Sequence, residues 1–498
     1  VPVNSTHADY DATASAWSRA RDVLAGEDAV KAGGERYLTR LDSQTDEEYF
    51  AYRNRASFFN ATSRTAEGYS GLIFRRPPFV RTPEAPSAAG PVGVAKALAQ
   101  FVNDADMLST SLFGYAKNVI NEVVGVGRAG TLIDWEGDSE DKAYVSIYTA
   151  ENIINWRVER VNGRNIPTLI VLRECGTAKT AGSDEFVRPG VEQIRVLKLV
   201  ADEAQRVDGL TLLHYAVEIW QPKEQKRKSA KVEWELVETR TPLRLGKPLP
   251  LIPFVFHGPR HSRPEVDKLP LADIIAVNLD HYRLDADYKH GMHFTALPTA
   301  WVSGFDKSST LRIGSSTAWV SETPGAAAGY LEFNGQGLTT FERAMDRDER
   351  LLAVLGSRLL EDQKKVGETA EAIQLRQSGE NSILGSISTS VSESLTQVLR
   401  WVYWWNSTEE TPELITDSQA LVELNTDFSI SGMSSDQLRE IVSAWQAGAI
   451  SRDTMLELFR KGEILPDGRT NKDEVALIEG VNVTQPDRNG GGMVLLKK

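Results

Sequence analysis

An α+β protein that completes its burial by assembling with copies of itself is the fold this sequence predicts, and three observations carry that prediction. The N-terminal half moves from helical periodicity into a long series of period-two strands. The stretch from Asp267 to Trp405 then holds three long helices around a short Gly/Ser-rich β segment. Those helices are too regular for linkers, and their apolar seams are too narrow for a self-contained core. Such helices finish their burial against neighbours, as in a ring or tube.

In chain order, Asp9 to Gly26 reads as a helix bearing Trp17, Ala20 and Val23. Thr45-Asp46-Glu47-Glu48 has the form of an N-cap with acids in the first turn. It opens a helix expected to run through Tyr49, Tyr52, Ala56 and Phe59 to Gly71, where Arg75-Arg76-Pro77-Pro78 stops it. After a Pro/Ala/Gly loop over 84–92, Phe101, Leu108, Leu112, Tyr115, Val119 and Val123 predict one helix over 94–124. From Gly130 the alternation predicts antiparallel strands at 131–135, 144–148, 169–174, 193–200, 211–220 and 231–238. An apolar strand over 249–256 follows, and the loop from His257 to Pro264 is expected to act as a hinge.

The first long helix is predicted over 267–293, with Pro270 in its first turn. Residues 295–335 carry short strands at 300–302 and 317–320. The second helix, over 337–360, spaces Leu338, Phe341, Met345, Leu352, Leu355 and Leu359 like heptads among Glu342, Arg343, Asp346, Arg347, Asp348, Glu349 and Arg350. At ~1.5 Å per residue each helix is roughly 35–40 Å long, which predicts an antiparallel hairpin with the β unit at its tip. The third helix, over 368–405, has Ile387, Val391, Leu395, Val398 and Val402 as its stripe, Gly379 and Gly385 as candidate kinks, and a terminal Trp cluster as a core anchor. A final helical pair is expected at 434–447 and 452–461, and a disordered tail over 481–498.

The formal net charge of −13 argues against a sequence-reading DNA binder, which would show a basic footprint. The single cysteine, Cys175, allows no internal disulfide and suits a reducing compartment. No apolar run reaches the ~20 residues of a membrane span, and no signal peptide is expected. No P-loop, G-x-S-x-G or paired catalytic carboxylate stands out, so no catalytic residue, cofactor or metal is expected. Gly125-Val126-Gly127-Arg128-Ala129-Gly130 matches G-x-G-x-x-G, but a helix precedes it and a strand follows, the reverse of a dinucleotide site. The pairs His257/His261 and His290/His293 lack further ligands at zinc spacing. Asp280, Asp285 and Asp287 fan around a helix axis and read as a solvated face. Lys364-Lys365 is either a solvated turn or a flexible basic loop that meets phosphates.

The order of parts resembles the portal (head-to-tail connector) proteins of tailed bacteriophages. Local phrases carry the likeness: 65–78 (TAEGYSGLIFRRPP), Ile252-Pro253-Phe254-Val255, 273–282 (DIIAVNLDHY) and 377–382 (QSGENS). The resemblance implies an N-terminal α+β wing (1–266), stem helix one (267–294), a clip (295–336), stem helix two (337–361) and a tunnel loop (362–369). A long kinked wing helix (370–410) and a crown (411–480) complete the subunit. It also implies a homo-oligomeric ring, a dodecamer, set in a capsid vertex of a virion assembled in the host cytoplasm. Double-stranded DNA would pass through it without sequence recognition, with terminase, a capsid or scaffold protein and a head-tail adaptor as partners. By the same resemblance Lys364, Lys365 and Glu368 would form the tunnel loop. Asp280, Asp285, Asp346 and Glu349 would face the channel from the stem, as part of a net-acidic lining that lets DNA slide. Lys307, Arg312 and Glu322 would lie on the clip where terminase docks. Competing readings are another ring protein of the head-tail junction and a nucleic-acid-processing enzyme with its site in the β-rich region.

Overall fold

The computed structural model describes residues 2–83, 92–135, 143–177, 190–207, 210–223, 232–295, 299–304, 322–331, 337–357, 370–426, 428, 435–461, 464–465 and 471–482. The chain forms two compact units, one of residues 1–74 with 78–426 and a smaller one of 75–77 with 427–498.

In the larger unit, α1 (Ala8–Ala25) buries Trp17, Ala20 and Val23 completely. A short α2 (Glu27–Ala32) follows. The expected cap at Thr45 is a full capping box, in which Thr45 and Glu48 each accept from the other's backbone amide at the start of α3 (Asp46–Arg55). The helix expected to continue to Gly71 breaks instead. Ala56 turns extended, and Asn60 starts α4 (Ala61–Ile73) by accepting from the Ser63 amide at 3.1 Å. β1 (Phe79–Arg81) comes next.

The helix expected over 94–124 is likewise two, α5 (Val92–Asn103) and α6 (Leu112–Val126). Between them the Asp104 and Asp106 carboxylates accept from the amides of Ser109, Leu108 and Thr110, with Met107 and Ser109 in the left-handed region. Ser111 then caps α6. These short polar side chains offer the backbone local partners that outcompete helix continuation. The G-x-G-x-x-G segment is the helix-to-strand turn its context indicated, with Gly127 at φ 81° closing α6.

β2 (Ala129–Trp135) lies at the centre of a three-stranded antiparallel sheet with β3 (Ala143–Thr149) on one side. A five-stranded antiparallel sheet follows in simple sequential order: β4 (Ile153–Val161), β5 (Arg164–Thr177), β6 (Gly190–Val207), β7 (Leu210–Pro222) and β8 (Trp234–Arg240). β4 is additional to the expected strands. Its outer half, Arg157–Val161, is mostly charged and hides the alternation. A two-residue hairpin, β9 (Leu243–Arg244) with β10 (Lys247–Pro248), leads to β11 (Phe254–His257), which returns to the other edge of β2. A Cβ at Gly130 would lie 2.2 Å from Phe254 Cζ, so this crossing requires glycine.

The remaining elements of this unit are α7 (Ala272–Thr295), β12 (Thr299–Ser303), β13 (Ala327–Leu331), α8 (Leu338–Ser357), the 37-residue α9 (Ala370–Asn406) and β14 (Leu421–Glu423). β14 pairs antiparallel with β1. Residues 411–426 therefore belong with the larger unit rather than with the C-terminal helices, as the 411–480 boundary had them. The smaller unit contains α10 (Ser435–Gln446), α11 (Arg452–Lys461) and a third helix, α12 (Asn471–Asn482), beyond the expected pair. No helix among the described residues is long and apolar enough to cross a membrane.

Candidate interface: the helical hairpin and its anchors

α7 and α8 run antiparallel in a register that can be read from three contacts. A Cβ at Gly291 would meet Leu338 Cδ2 at 2.9 Å, Tyr288 donates its hydroxyl to Glu342 at 2.8 Å, and His281 Nε2 lies 3.5 Å from Glu349. The two residue numbers of each pair add to 629 or 630. The strand pairs Thr299–Leu331 to Ser303–Ala327 also add to 630. Among the described residues the helix contacts and the strand pairs of the tip thus keep the same step. At 24 and 20 residues the helices span about 36 and 30 Å.

The inner face of α7 is tied to the N-terminal helices by side chains far apart in sequence. Asn278, fully buried, accepts from the Thr62 amide (3.1 Å) and hydroxyl (2.8 Å) and donates to the Phe59 carbonyl (2.7 Å). It thereby satisfies a first-turn amide of α4 that has no helical partner. Asp287 accepts from the Tyr52 hydroxyl at 2.5 Å, and burial, together with this carboxylate, pushes that phenol's pKa far up. Arg283 donates to the Tyr37 carbonyl.

The expected stem residues divide on this geometry. Asp280, Asp346 and Glu349 are exposed. Asp285 is not on an open face: it accepts from the Ser57 amide at 2.6 Å and pairs with Lys289 at 3.2 Å, which itself donates to Ser57. The solvated-face reading of Asp285 and Asp287 is corrected accordingly. Asp348, grouped by sequence with the exposed charges, is buried, 3.4 Å from Arg347. The exposed charges of the two helices are five acids (Asp273, Asp280, Glu342, Asp346, Glu349) and four bases (Arg283, Arg343, Arg347, Arg350). The net-acidic lining expected of the stem is therefore nearly balanced in these two helices. Leu351, Val354 and Leu355 add an exposed apolar patch at the end of α8. Glu322 is exposed, whereas Lys307, Arg312, Lys364, Lys365 and Glu368 lie outside the described residues, as do the expected strand at 317–320 and the tail after 482.

α9 is anchored by a device that the sequence reading did not use. Serine or threonine stands at every second position from Ser386 to Thr396, apart from the helix stripe. On a helix this spacing makes two rows four residues apart. Ser386 and Ser390 donate to the carbonyls of Pro259 (3.0 Å) and Gly258 (2.8 Å), and Ser394 meets His257 Nδ1 at 2.7 Å. On the other side Ser388 donates to Asn425 O, Ser392 accepts from the Leu424 amide, and Thr396 both donates to and accepts from Val422. One helix thus fastens the segment after β11 and the β14 strand by alternate hydroxyls.

His257 lies within this network, fully enclosed. Ser394 donates to Val391 O, so Nδ1–H of His257 donates to Ser394 and Nε2 accepts from Thr131 (2.6 Å), which accepts from Tyr115 (2.7 Å). Burial lowers the imidazole pKa to about 3, so the ring is neutral. It is a structural link between α6, β2, β11 and α9.

The loop expected to be a hinge is held instead. Arg128, the third residue after Gly125, sits between the Trp156 and Phe256 rings (4.3 and 4.9 Å) and donates to the carbonyls of Pro264 (2.6 Å) and Glu265 (3.2 Å). Burial lowers its pKa to about 10, which leaves it charged at neutral pH. At the other end of α9, Arg244 covers the Trp404 ring at 4.2 Å and donates to the terminal carbonyls of Trp404 and Ser407. Trp405 stacks on Trp135 at 5.8 Å, and Trp404 and Trp405 are buried, as a core anchor should be. Among the described residues no cluster of three or more His, Cys, Asp or Glu could hold a metal.

Residues 270–406, from the start of α7 to the end of α9, match a family described as a domain of unknown function (DUF4055). No curated protein matches. Among solved structures, the chain is similar to one from the virion of a native gene transfer agent (GTA) particle, with 10% identity and a TM-score of 0.35 over 89% of this chain and 99% of that one. It is also similar to a chain from the neck of an empty GTA particle (12% identity, TM-score 0.35, 82% and 90% covered). A chain from the neck of a native GTA particle is similar at 10% identity and TM-score 0.33, with 80% and 89% covered.

Proposed function

We propose that this chain is a portal protein, a subunit of a ring at the head-to-tail junction of a phage-like particle through which double-stranded DNA enters and leaves. The observation that carries the reading is the in-step hairpin of α7, β12, β13 and α8 standing on an α+β body and followed by the long α9. The order of these parts is that of stem, clip and wing helix, and the sequence phrases at 65–78 and 273–282 point the same way. The balanced, alternating charge of α7 and α8 suits the role, since neither sign is concentrated enough to hold a polyanion tightly. Contact with DNA would be to its backbone, without sequence preference. The role is structural, with no catalytic step assigned to the chain.

In this reading twelve copies close the ring, Lys364 and Lys365 approach DNA from the tunnel loop beside Glu368, and the tip with Lys307, Arg312 and Glu322 docks terminase and later an adaptor. Electron microscopy of the purified full chain tests the central claim: a closed ring with a central hole is expected, and a monodisperse monomer that cuts nucleic acid would overturn it. A Lys364→Ala/Lys365→Ala variant should assemble but package or retain less DNA. Normal packaging and retention by that variant would remove the tunnel-loop assignment. Deleting 325–329 should weaken terminase binding, and unchanged binding would remove the tip assignment.

A further inference from the structure

The five-stranded sheet ends in two edges of opposite charge. At one, the inner half of β4 is covered, because the His7 amide donates to Ile154 O and the His7 ring stacks on Trp156. The outer half, 157–160, is exposed, and Val158–Val161 pairs with β5 without a bulge. With the start of β5, this edge presents Arg157, Arg160 and Arg164 against Glu159 and Glu413, the latter 3.6 Å from Arg164, and exposes Val158.

At the other edge, β8 is exposed from Glu235 to Arg240. With its lead-in it presents Glu233, Glu235 and Glu238 against Arg240 and Lys223, the latter 4.0 Å from Glu233, and it exposes Val232, Leu236 and Val237. Among the described residues the charge sets mirror each other, three bases with two acids against three acids with two bases. The pairs made at the two edges, Arg157–Glu159 at 3.9 Å with Arg164–Glu413 at 3.6 Å, and Arg240–Glu238 at 3.1 Å with Lys223–Glu233 at 4.0 Å, are solvent-exposed and weak.

Open strand edges are sites where another chain can add, and proteins usually blunt them with charge. Here the charge excludes one pairing and favours another. Two β8 edges would oppose glutamates to glutamates, and two β4 edges would oppose arginines to arginines. A β4 edge meeting a β8 edge brings opposite charges and exposed apolar side chains together. Because the edges lie at opposite sides of one sheet, such contact is head-to-tail, the geometry that propagates into rings.

We infer that the outer half of β4 in one copy pairs with β8 of the next, joining the sheets of neighbouring subunits. The inference rests on the ring reading and names one of its contacts.

The test is cross-linking of the full chain in a Cys175→Ser background, since Cys175 is exposed. Val158→Cys and Leu236→Cys are introduced singly and together and treated with a short bis-maleimide. The double variant should give a ladder of covalent multimers, and each single variant should stay monomeric on a denaturing gel. Rings seen by electron microscopy with no ladder would overturn the edge contact and leave the ring reading intact. Neither rings nor ladder would overturn both. Dimers from a single variant would show like edges meeting and refute the head-to-tail pairing. As a second arm, Arg157→Glu/Arg160→Glu should raise the concentration needed for assembly by at least about tenfold, and adding Glu235→Arg/Glu238→Arg should restore it. Failure of the combined variant to regain assembly, with circular dichroism unchanged, would count against the pairing.

Discussion

Lowering the pH should weaken the fold through His257, and the size of the effect follows from its enclosure. The folded imidazole pKa of about 3 lies below the unfolded value of 6.5, so below pH 6.5 the unfolded chain takes up a proton that the native chain refuses. The contribution is therefore fully present above pH 6.5 and is lost as pH falls from 6.5 toward 3. At 1.36 kcal/mol per pK unit, the loss between pH 7.5 and 4.5 is about 2.5 kcal/mol. His257→Gln removes the titration. At neutral pH it should cost about 1–3 kcal/mol, because Thr131 and Ser394 lose well-placed partners in a closed site. Urea unfolding followed by tryptophan emission across this pH range measures both proteins, and groups common to the two cancel in their difference. The gap in unfolding free energy should close by about 2.5 kcal/mol on acidification. A gap constant to within about 0.5 kcal/mol over the range would refute the account.

Substitutions at three other positions test the packing. Arg244→Ala should uncap α9 and cost about 1–3 kcal/mol, with faster amide exchange confined to its last turn; unchanged exchange there would exclude a capping role. Asn278→Ala should cost about 1–3 kcal/mol by orphaning the Thr62 amide and Phe59 carbonyl, whereas Asn278→Asp should recover part of this by still accepting from Thr62. Thermal unfolding separates the two variants. Gly130→Ala should destabilise by about 1–3 kcal/mol, since its Cβ would enter the Phe254 and Ile153 side chains, and a neutral shift in midpoint would mean that the sheet can yield there.

The long helices were legible because their apolar seams recur over many turns, and the hairpin because two such segments of similar length flank a small β unit. Thr45 was legible because a capping box is local. The breaks at 56–60 and 104–111 were signalled by Asn60 and by the Asp104, Asp106, Ser109 and Ser111 cluster, but apolar residues at helical spacing masked them. Which acids stay exposed could not be read from periodicity. Asp285 and Asp287 find their partners 228 and 235 residues away, and Asp348 is buried where the charges beside it on α8 are exposed. The hydroxyl ladder of α9 was visible as letters, yet its two-sided use depends on which segments lie beside the helix. Arg128 lies in a G-x-G-x-x-G turn, and its role depends on Trp156, Phe256 and the 264–265 carbonyls, which no local spacing brings to it.

The constant pairing of α7 through β12 with β13 through α8 also constrains how this chain can vary in length. An insertion in one arm alone would shift every pair beyond it and bring Leu338 away from Gly291, against which its side chain packs closely. Matched insertions or deletions of whole turns leave the pairing intact. Seven residues removed from each arm would shorten the projection by about 10 Å while keeping the same side chains face to face. Relatives with longer or shorter projections should therefore differ by equal numbers of residues on the two sides of the tip, a pattern of paired gaps that single-arm changes would break.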